Sequence, residues 1–190
     1  MRSSLLTALH PFGPLPTADH ARFLAAWQAR CVAEGEVLCA PGTVCEQLFF
    51  IEQGVLCLLE RPLRGKAVAH SFRSEGHFCT LLTSFEQQTP TPVGIYAACP
   101  TQVLVIDKAQ WTMLEHAVPS LAPIFTRLLR HTLLEKLTLQ RSYLGQDAAT
   151  RYETFLATQP TIARRVPQHL IAAYLGITPQ SLSRLRQGSY

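Results

Sequence analysis

The stretch Val166–Gln187, VPQHLIAAYLGITPQSLSRLRQ, decides how the chain is read. Two helices that cross near a right angle need a small residue at the crossing, a glycine at the tight turn and apolar residues on both inner faces. With Gln168 opening the first helix, Ile171 and Leu175 face inward and Ala172 is the small crossing residue. Gly176 makes the turn, Ile177 plugs the corner, and Leu182 and Leu185 hold the second helix by its inner face. Thr178 is a good N-cap and Pro179 a good first helical residue, so the second helix has a defined start.

The outward face of that second helix carries Gln180, Ser181, Ser183, Arg184 and Gln187. Short polar groups and an arginine are the types that read base edges in a major groove, Arg184 on guanine and Gln180 on adenine. Ser181, Arg186, Arg164 and Arg165 suit the backbone phosphates, and Gln168 is a further candidate DNA contact. Net charge is only +4 over 190 residues, so the whole chain does not announce a polyanion partner. From Thr150 onward, however, Arg151, Arg164, Arg165, Arg184 and Arg186 face one acid, Glu153. That local excess is the electrostatic mark of a face for double-stranded DNA. A plain helical hairpin with a solvated polar face meets the same packing rules and stands as the alternative.

Upstream, Thr17 to Arg30 reads as a helix, with Phe23, Leu24 and Trp27 on one face. Short apolar runs then alternate with turns at Glu34-Gly35, Pro41-Gly42, Gln53-Gly54, Leu63-Arg64-Gly65 and Glu75-Gly76. Strand-length runs at roughly 8–12-residue spacing argue for an antiparallel barrel or roll. Cys79 to Gln88 reads as a short helix or irregular piece, and strands resume over Val93–Ala98 and Gln102–Ile106. From Asp107 to about Leu144 the period is helical, and Leu121, Ile124, Phe125, Leu128, Leu129, Leu133, Leu137 and Leu144 form a broad apolar stripe. A stripe so wide has more than one surface to bury, which predicts a homodimer seam that includes Leu128 and Leu137. Gly145 ends or kinks this helix.

Other classes find little support. Hydrophobic residues make up 47% of the chain, enough for a sizeable core. No apolar run reaches the roughly 18 residues of a membrane span, and the N-terminus lacks a secretory pattern, so a cytoplasmic protein is expected. The cysteines Cys31, Cys39, Cys45, Cys57, Cys79 and Cys99 form no C-x-x-C and no zinc spacing, and read as buried reduced thiols. No nucleophile elbow, zinc motif or phosphate-cradling glycine loop speaks for an enzyme. No metal and no cofactor is expected.

At this point the chain resembles the Crp/Fnr family of bacterial transcription regulators. RRVPQHLIAAYLGITPQSLSRLR resembles the family's DNA-reading motif, EGEVLCAPGTVCEQLFFIEQGVLCLLE its first β-roll strands with Gly35, Gly42 and Gly54 in place, and ATRYETFLATQP the helix leading into the DNA domain. The resemblance implies an α+β chain: an antiparallel β-roll of the cyclic-nucleotide-binding type with an N-terminal helix over 1–116, a long dimerisation helix over 117–145, and a small helix-turn-helix domain over 146–190, short and without a β-wing. It also implies a small-molecule effector, of unknown identity.

Family members that bind cyclic AMP carry a Gly-Glu pair and an Arg-Ser/Thr pair, the arginine neutralising the cyclic phosphate. Here Cys79-Thr80 and Thr91-Pro92 align with those pairs, and no Arg or Lys lies between Phe78 and Val105. A degenerate pocket lined by Cys79, Thr80, Thr91 and Pro92 is therefore expected, in a protein that does not bind cyclic AMP. The N-terminal cysteine cluster of iron–sulfur members is absent, and His70, His77, His116 and His131 qualify as haem ligands by residue type alone. The other reading of the same fold is a ligand- or protein-binding module whose DNA-binding domain is non-functional.

Overall fold

The structure is a computed structural model that describes residues 3–62 and 64–187. It is an α+β chain. Two antiparallel four-stranded sheets face each other, one ordered β1 (Gln28–Val32), β8 (Thr101–Asp107), β3 (Gln47–Gln53), β6 (Phe78–Cys79), the other β2 (Val37–Cys39), β7 (Val93–Ala97), β4 (Leu56–Glu60), β5 (Val68–Arg73). Helices α1 (Ser3–Leu9) and α2 (Thr17–Ala25) precede the roll, and α3 (Leu82–Gln87) interrupts it. After it come α4 (Lys108–Ala117), the long α5 (Leu121–Tyr143), α6 (Ala148–Thr158), α7 (Pro160–Arg165), α8 (Gln168–Leu175) and α9 (Pro179–Arg186).

The central strands are apolar on both faces, and each face has its own cover. On β3, Phe49 and Ile51 point between the sheets, while Leu48 and Phe50 point outward; on β8, Val103 and Val105 alternate in the same way with Leu104 and Ile106. The outward set packs on Leu5 and Leu9 of α1, Phe23 of α2, Trp111 and Leu114 of α4, and the first turns of α5. This explains why LFFI and VLVI read as continuous apolar runs and not as alternating ones. On the other sheet, Cys57 and Leu59 of β4 and Ala69 and Phe72 of β5 face the C-terminal helices, in a core that runs through Phe155, Ile162, Ile171 and Leu182. Gly54 marks a close approach. Its φ is +107° and an added Cβ would meet Thr101 Oγ1 at 2.3 Å, so no other residue fits the turn between β3 and β4.

Several expectations need correction. The helix expected over Thr17–Arg30 stops at Ala25, because Gln28–Val32 is taken into the sheet as the antiparallel partner of β8. Phe23 and Trp27 share one stripe because both enter the same core, which extends the helical period past the helix itself. Helix α1 was hidden by the prolines that follow it, although Leu5 and Leu9, one turn apart, are fully buried. The helical stretch after Asp107 is two helices, broken between Ala117 and Leu121 around Pro119. The apolar stripe of α5 divides along its length. Leu121, Ile124, Phe125 and Leu128 are buried against their own roll, while Leu133 and Leu137 are 56% and 42% exposed. Leu128 therefore belongs to the intramolecular core and not to a seam between copies. Of the turn signals, Leu63 lies outside the described residues. Among the described residues, no helix is long and apolar enough to cross a membrane.

Candidate nucleic-acid interface and ligand cavity

Helices α8 and α9 meet through the turn expected for them. Gly176 adopts φ 70° and closes α8, its N–H donating to the Ala172 carbonyl. The next N–H, of Ile177, donates to the same carbonyl at 3.0 Å. That left-handed conformation is what a glycine after a helix supplies. Thr178 caps α9, its Oγ1 accepting the Ser181 N–H at 3.1 Å, and Pro179 follows at the first helical position. Leu170, Ile171, Ala172, Leu175 and Leu182 are buried, and Leu185 is half-buried.

This packing leaves one face of α9 outward. Gln180, Arg184, Arg186 and Gln187 are exposed; Ser181 and Ser183 are half-buried. The Ser181 hydroxyl lies 2.9 Å from Thr178 Oγ1, so it is already engaged in the cap. Gln180 and Arg184 are four residues apart and share a face. Beside them a groove of about 650 Å³ is lined by Arg164, Arg165, Gln168 and Arg186, with no carboxylate among its lining residues.

Arg165 differs from Arg164. Arg164 is exposed, whereas Arg165 donates to Glu75 Oε1 at 2.7 Å, across from the C-terminal helices to the roll. The same Glu75 oxygen accepts the Gly54 N–H at 2.6 Å. Burial pushes the Glu75 carboxyl up, but the Gly54 N–H and the Arg165 guanidinium more than offset this and hold it below the ordinary carboxylate value. Between β5 and the C-terminal helices, Phe72, Phe155 of α6 and Tyr174 of α8 form a ring cluster, with Tyr174 5.2 Å from Phe72 and 5.6 Å from Phe155 between centroids.

A second candidate site lies where the roll meets α5. Cys79, Thr80, Thr91 and Pro92 all line one cavity of about 630 Å³ there. Most of their polar capacity is spent inside the protein. Thr80 Oγ1 donates to the Gln47 carbonyl at 2.9 Å, and Thr91 Oγ1 accepts the Val93 N–H at 3.2 Å. Burial pushes the Cys79 thiol up to about 12, so this wall is uncharged at neutral pH.

The cavity nevertheless has cations, from outside the cation-free stretch between Phe78 and Val105. Arg73 at the end of β5 and Lys136 on α5 line it, both half-buried, and His70 joins them. His70 is engaged with Glu60 at 3.0 Å. A second cavity, of about 370 Å³, shares His70, Arg73 and Lys136 and reaches Gln159, Ile162 and Tyr174 of the C-terminal helices. Lys136 was legible in principle: it follows Leu129 and Leu133 at helical spacing and lies on their side of α5. Arg73 could not be assigned without knowing that β5 borders the same space.

Along α5, Leu133, Leu134 and Leu137 leave an apolar strip that is 42–56% exposed. The thiols are largely as expected: Cys39, Cys45, Cys57, Cys79 and Cys99 are buried, and Cys31 is exposed on the edge strand β1. No group of His, Cys, Asp and Glu suited to a metal ion occurs among the described residues.

Comparison with known proteins bears on both sites. Residues 29–115 match the cyclic nucleotide-binding domain family. Among solved structures, a protein from Eubacterium rectale assigned to the Crp/Fnr family of transcriptional regulators superposes with a TM-score of 0.72 at 16% identity, over 94% of this chain and 87% of that one. CLP, the c-di-GMP-responsive global regulator of Xanthomonas campestris, gives 0.69 at 15% identity, over 91% of each chain. A mutant form of CooA from Carboxydothermus hydrogenoformans gives 0.63 at 19% identity, over 88% of this chain and 78% of that one. At these identities the likeness is one of fold. No curated protein matches the sequence.

Proposed function

We propose that this chain, a cyclic nucleotide-binding-type roll continued by the helices of the Crp/Fnr fold, is a transcription regulator that reads double-stranded DNA in the cytoplasm and does not use cyclic AMP. The observation that carries the reading is α9: a capped helix, anchored by fully buried Leu182, that holds Gln180 and Arg184 outward on one face. Such a helix enters a major groove with its N-terminal side chains on base edges. Arg164, Arg186 and Gln168 line the adjacent groove, where side chains of these types can meet phosphates. Arg165 joins them once it leaves Glu75.

The protein works as a homodimer through the exposed strip of α5. Three large leucines within two turns are poorly placed in water, and a second copy of the same strip covers them in a two-fold arrangement. Pairing through α5 would set two α9 helices against one side of a duplex, roughly one turn (~34 Å) apart. The cavity lacks an arginine at the segment aligned with the family's phosphate-binding pair, which is the basis for excluding cyclic AMP.

The test is selection of genomic DNA by the purified full-length protein at low and moderate salt, with calorimetry against cyclic AMP. Enrichment of an inverted repeat with half-sites about one turn apart, and no isotherm at millimolar cyclic AMP, is the expected result. Absence of any enriched sequence at low salt would leave a binding module with the regulator fold and no DNA function. A micromolar cyclic AMP isotherm would overturn the second half of the reading.

A further inference from the structure

We propose that the cavity between the roll and α5 takes a small amphipathic anion: an apolar body against the leucine and phenylalanine wall, and one carboxylate or phosphate head at Arg73 and Lys136. The inference extends the regulator reading by giving its effector a chemistry, and rests on that reading only in calling the ligand an effector.

The first observation is charge. Neither Arg73 nor Lys136 has an ion-pair partner among the described residues, and the lining of the cavity includes no Asp or Glu. Both cations are half-buried, so their charge is screened less than that of a surface lysine. Two cations that line one cavity without an ion-pair partner favour an anion there.

The second observation is what remains of the wall. Leu58, Phe78, Leu81, Phe125 and Leu129 supply an apolar lining, with Cys79 held as the neutral thiol. Of the hydroxyls along the wall, those of Ser84, Thr80 and Thr91 are engaged within the protein. Ser84 Oγ donates to the Thr89 carbonyl at 2.6 Å and accepts the Cys45 N–H at 2.8 Å, and Thr80 and Thr91 are held as described above. A ligand with an apolar body and one charged end matches the leucine and phenylalanine lining while placing its head at the cations. A cavity of about 630 Å³ falls in the range of small-molecule sites.

The third is connectivity. Arg73 and Lys136 also line the neighbouring cavity that touches Gln159, Ile162 and Tyr174. An anion drawn to them therefore acts next to the contacts that hold the C-terminal helices on the roll.

The probes are decanoate and decyl phosphate, with 1-decanol and inorganic phosphate as the half-ligands, titrated into the full-length protein by calorimetry below their micellar concentrations. One equivalent of decanoate or decyl phosphate per chain is expected, and the tighter of the two identifies the head group. Decanol and phosphate should each bind at least tenfold more weakly. Arg73→Gln and Lys136→Gln should each weaken the amphiphile at least tenfold, with Arg73→Lys restoring part of the loss and thermal unfolding showing that each variant folds. The proposal is overturned if neither amphiphile binds, if decanol binds as tightly as decanoate, or if both Gln variants bind like the wild type. DNA binding by the same preparations is read in parallel, so failure of the cavity and failure of the regulator reading are separate outcomes.

Discussion

Phe155→Ala should loosen the C-terminal helices from the roll. The Phe155 ring is fully buried, with centroid distances of 6.4 Å to Phe72 on β5 and 5.6 Å to Tyr174 on α8. It is thus the side chain through which α6 reaches a strand and a helix at once. Truncating a buried Phe to Ala costs about 3–5 kcal/mol, from lost transfer energy and the cavity left behind. For a chain of this size each kcal/mol lowers the melting temperature by roughly 2–4 °C, so a drop of roughly 6–20 °C is expected. Leu156, the next residue, is 40% exposed, and Leu156→Ala should stay within about 0.5 kcal/mol. Calorimetric unfolding gives the magnitude, and limited proteolysis gives the location. Cleavage near Leu144, which is 76% exposed where α5 ends, should accelerate in Phe155→Ala before the roll itself is cut. A loss under about 1 kcal/mol, or an unchanged digestion pattern, would refute the view that these rings join the two parts.

Other consequences are more local. Leu133→Lys with Leu137→Lys should give a folded monomer by light scattering where the wild type is a dimer; a wild type that is monomeric at micromolar concentration would end the dimer reading. Glu75→Gln should cost at most about 1 kcal/mol at neutral pH, because the Glu75–Arg165 pair is about one-third exposed and screened by solvent. Since the folded Glu75 carboxyl is held below its ordinary value of 4.5, its contribution is complete above that value and is lost as pH falls through the folded value. The gap between wild type and Glu75→Gln should therefore close on acidification, and a gap that widens would contradict the assignment. Thr178→Ala removes the cap of α9 and should cost about 1 kcal/mol; Thr178→Ser should recover most of it.

The helix-turn-helix was legible because its determinants are local. Gly176, Thr178 and Pro179 fix a turn and a helix start within four residues, and each adopts the conformation its type favours. The roll was legible for a similar reason, since turn glycines such as Gly35, Gly42 and Gly54 punctuate the strands and all have positive φ. What the sequence did not show depends on long-range pairing. The end of α2 is set by the demand of β8 for a partner at Gln28–Val32, across more than seventy residues of chain. The split of the α5 stripe depends on how far the roll extends along the helix, which no periodicity encodes. The cavity cations come from β5 and α5, outside the cation-free stretch between Phe78 and Val105, and share a cavity with Cys79-Thr80 and Thr91-Pro92 only in the folded chain. Arg165 and Glu75, ninety residues apart, meet only in the folded chain.

Whether α9 reads base sequence is decided by the binding of Arg184→Ala to selected and scrambled duplexes over a salt series. Arg184 is exposed one turn beyond Gln180, a position from which a guanidinium would reach a guanine edge in a major groove. A loss of about 1–3 kcal/mol is expected on the selected duplex, with specificity relaxed at one position and little change on scrambled DNA. Arg164→Ala should instead weaken both duplexes alike and flatten the salt dependence by about one counterion. If Arg184→Ala weakens selected and scrambled DNA equally, α9 does not read base sequence and the regulator reading loses its support.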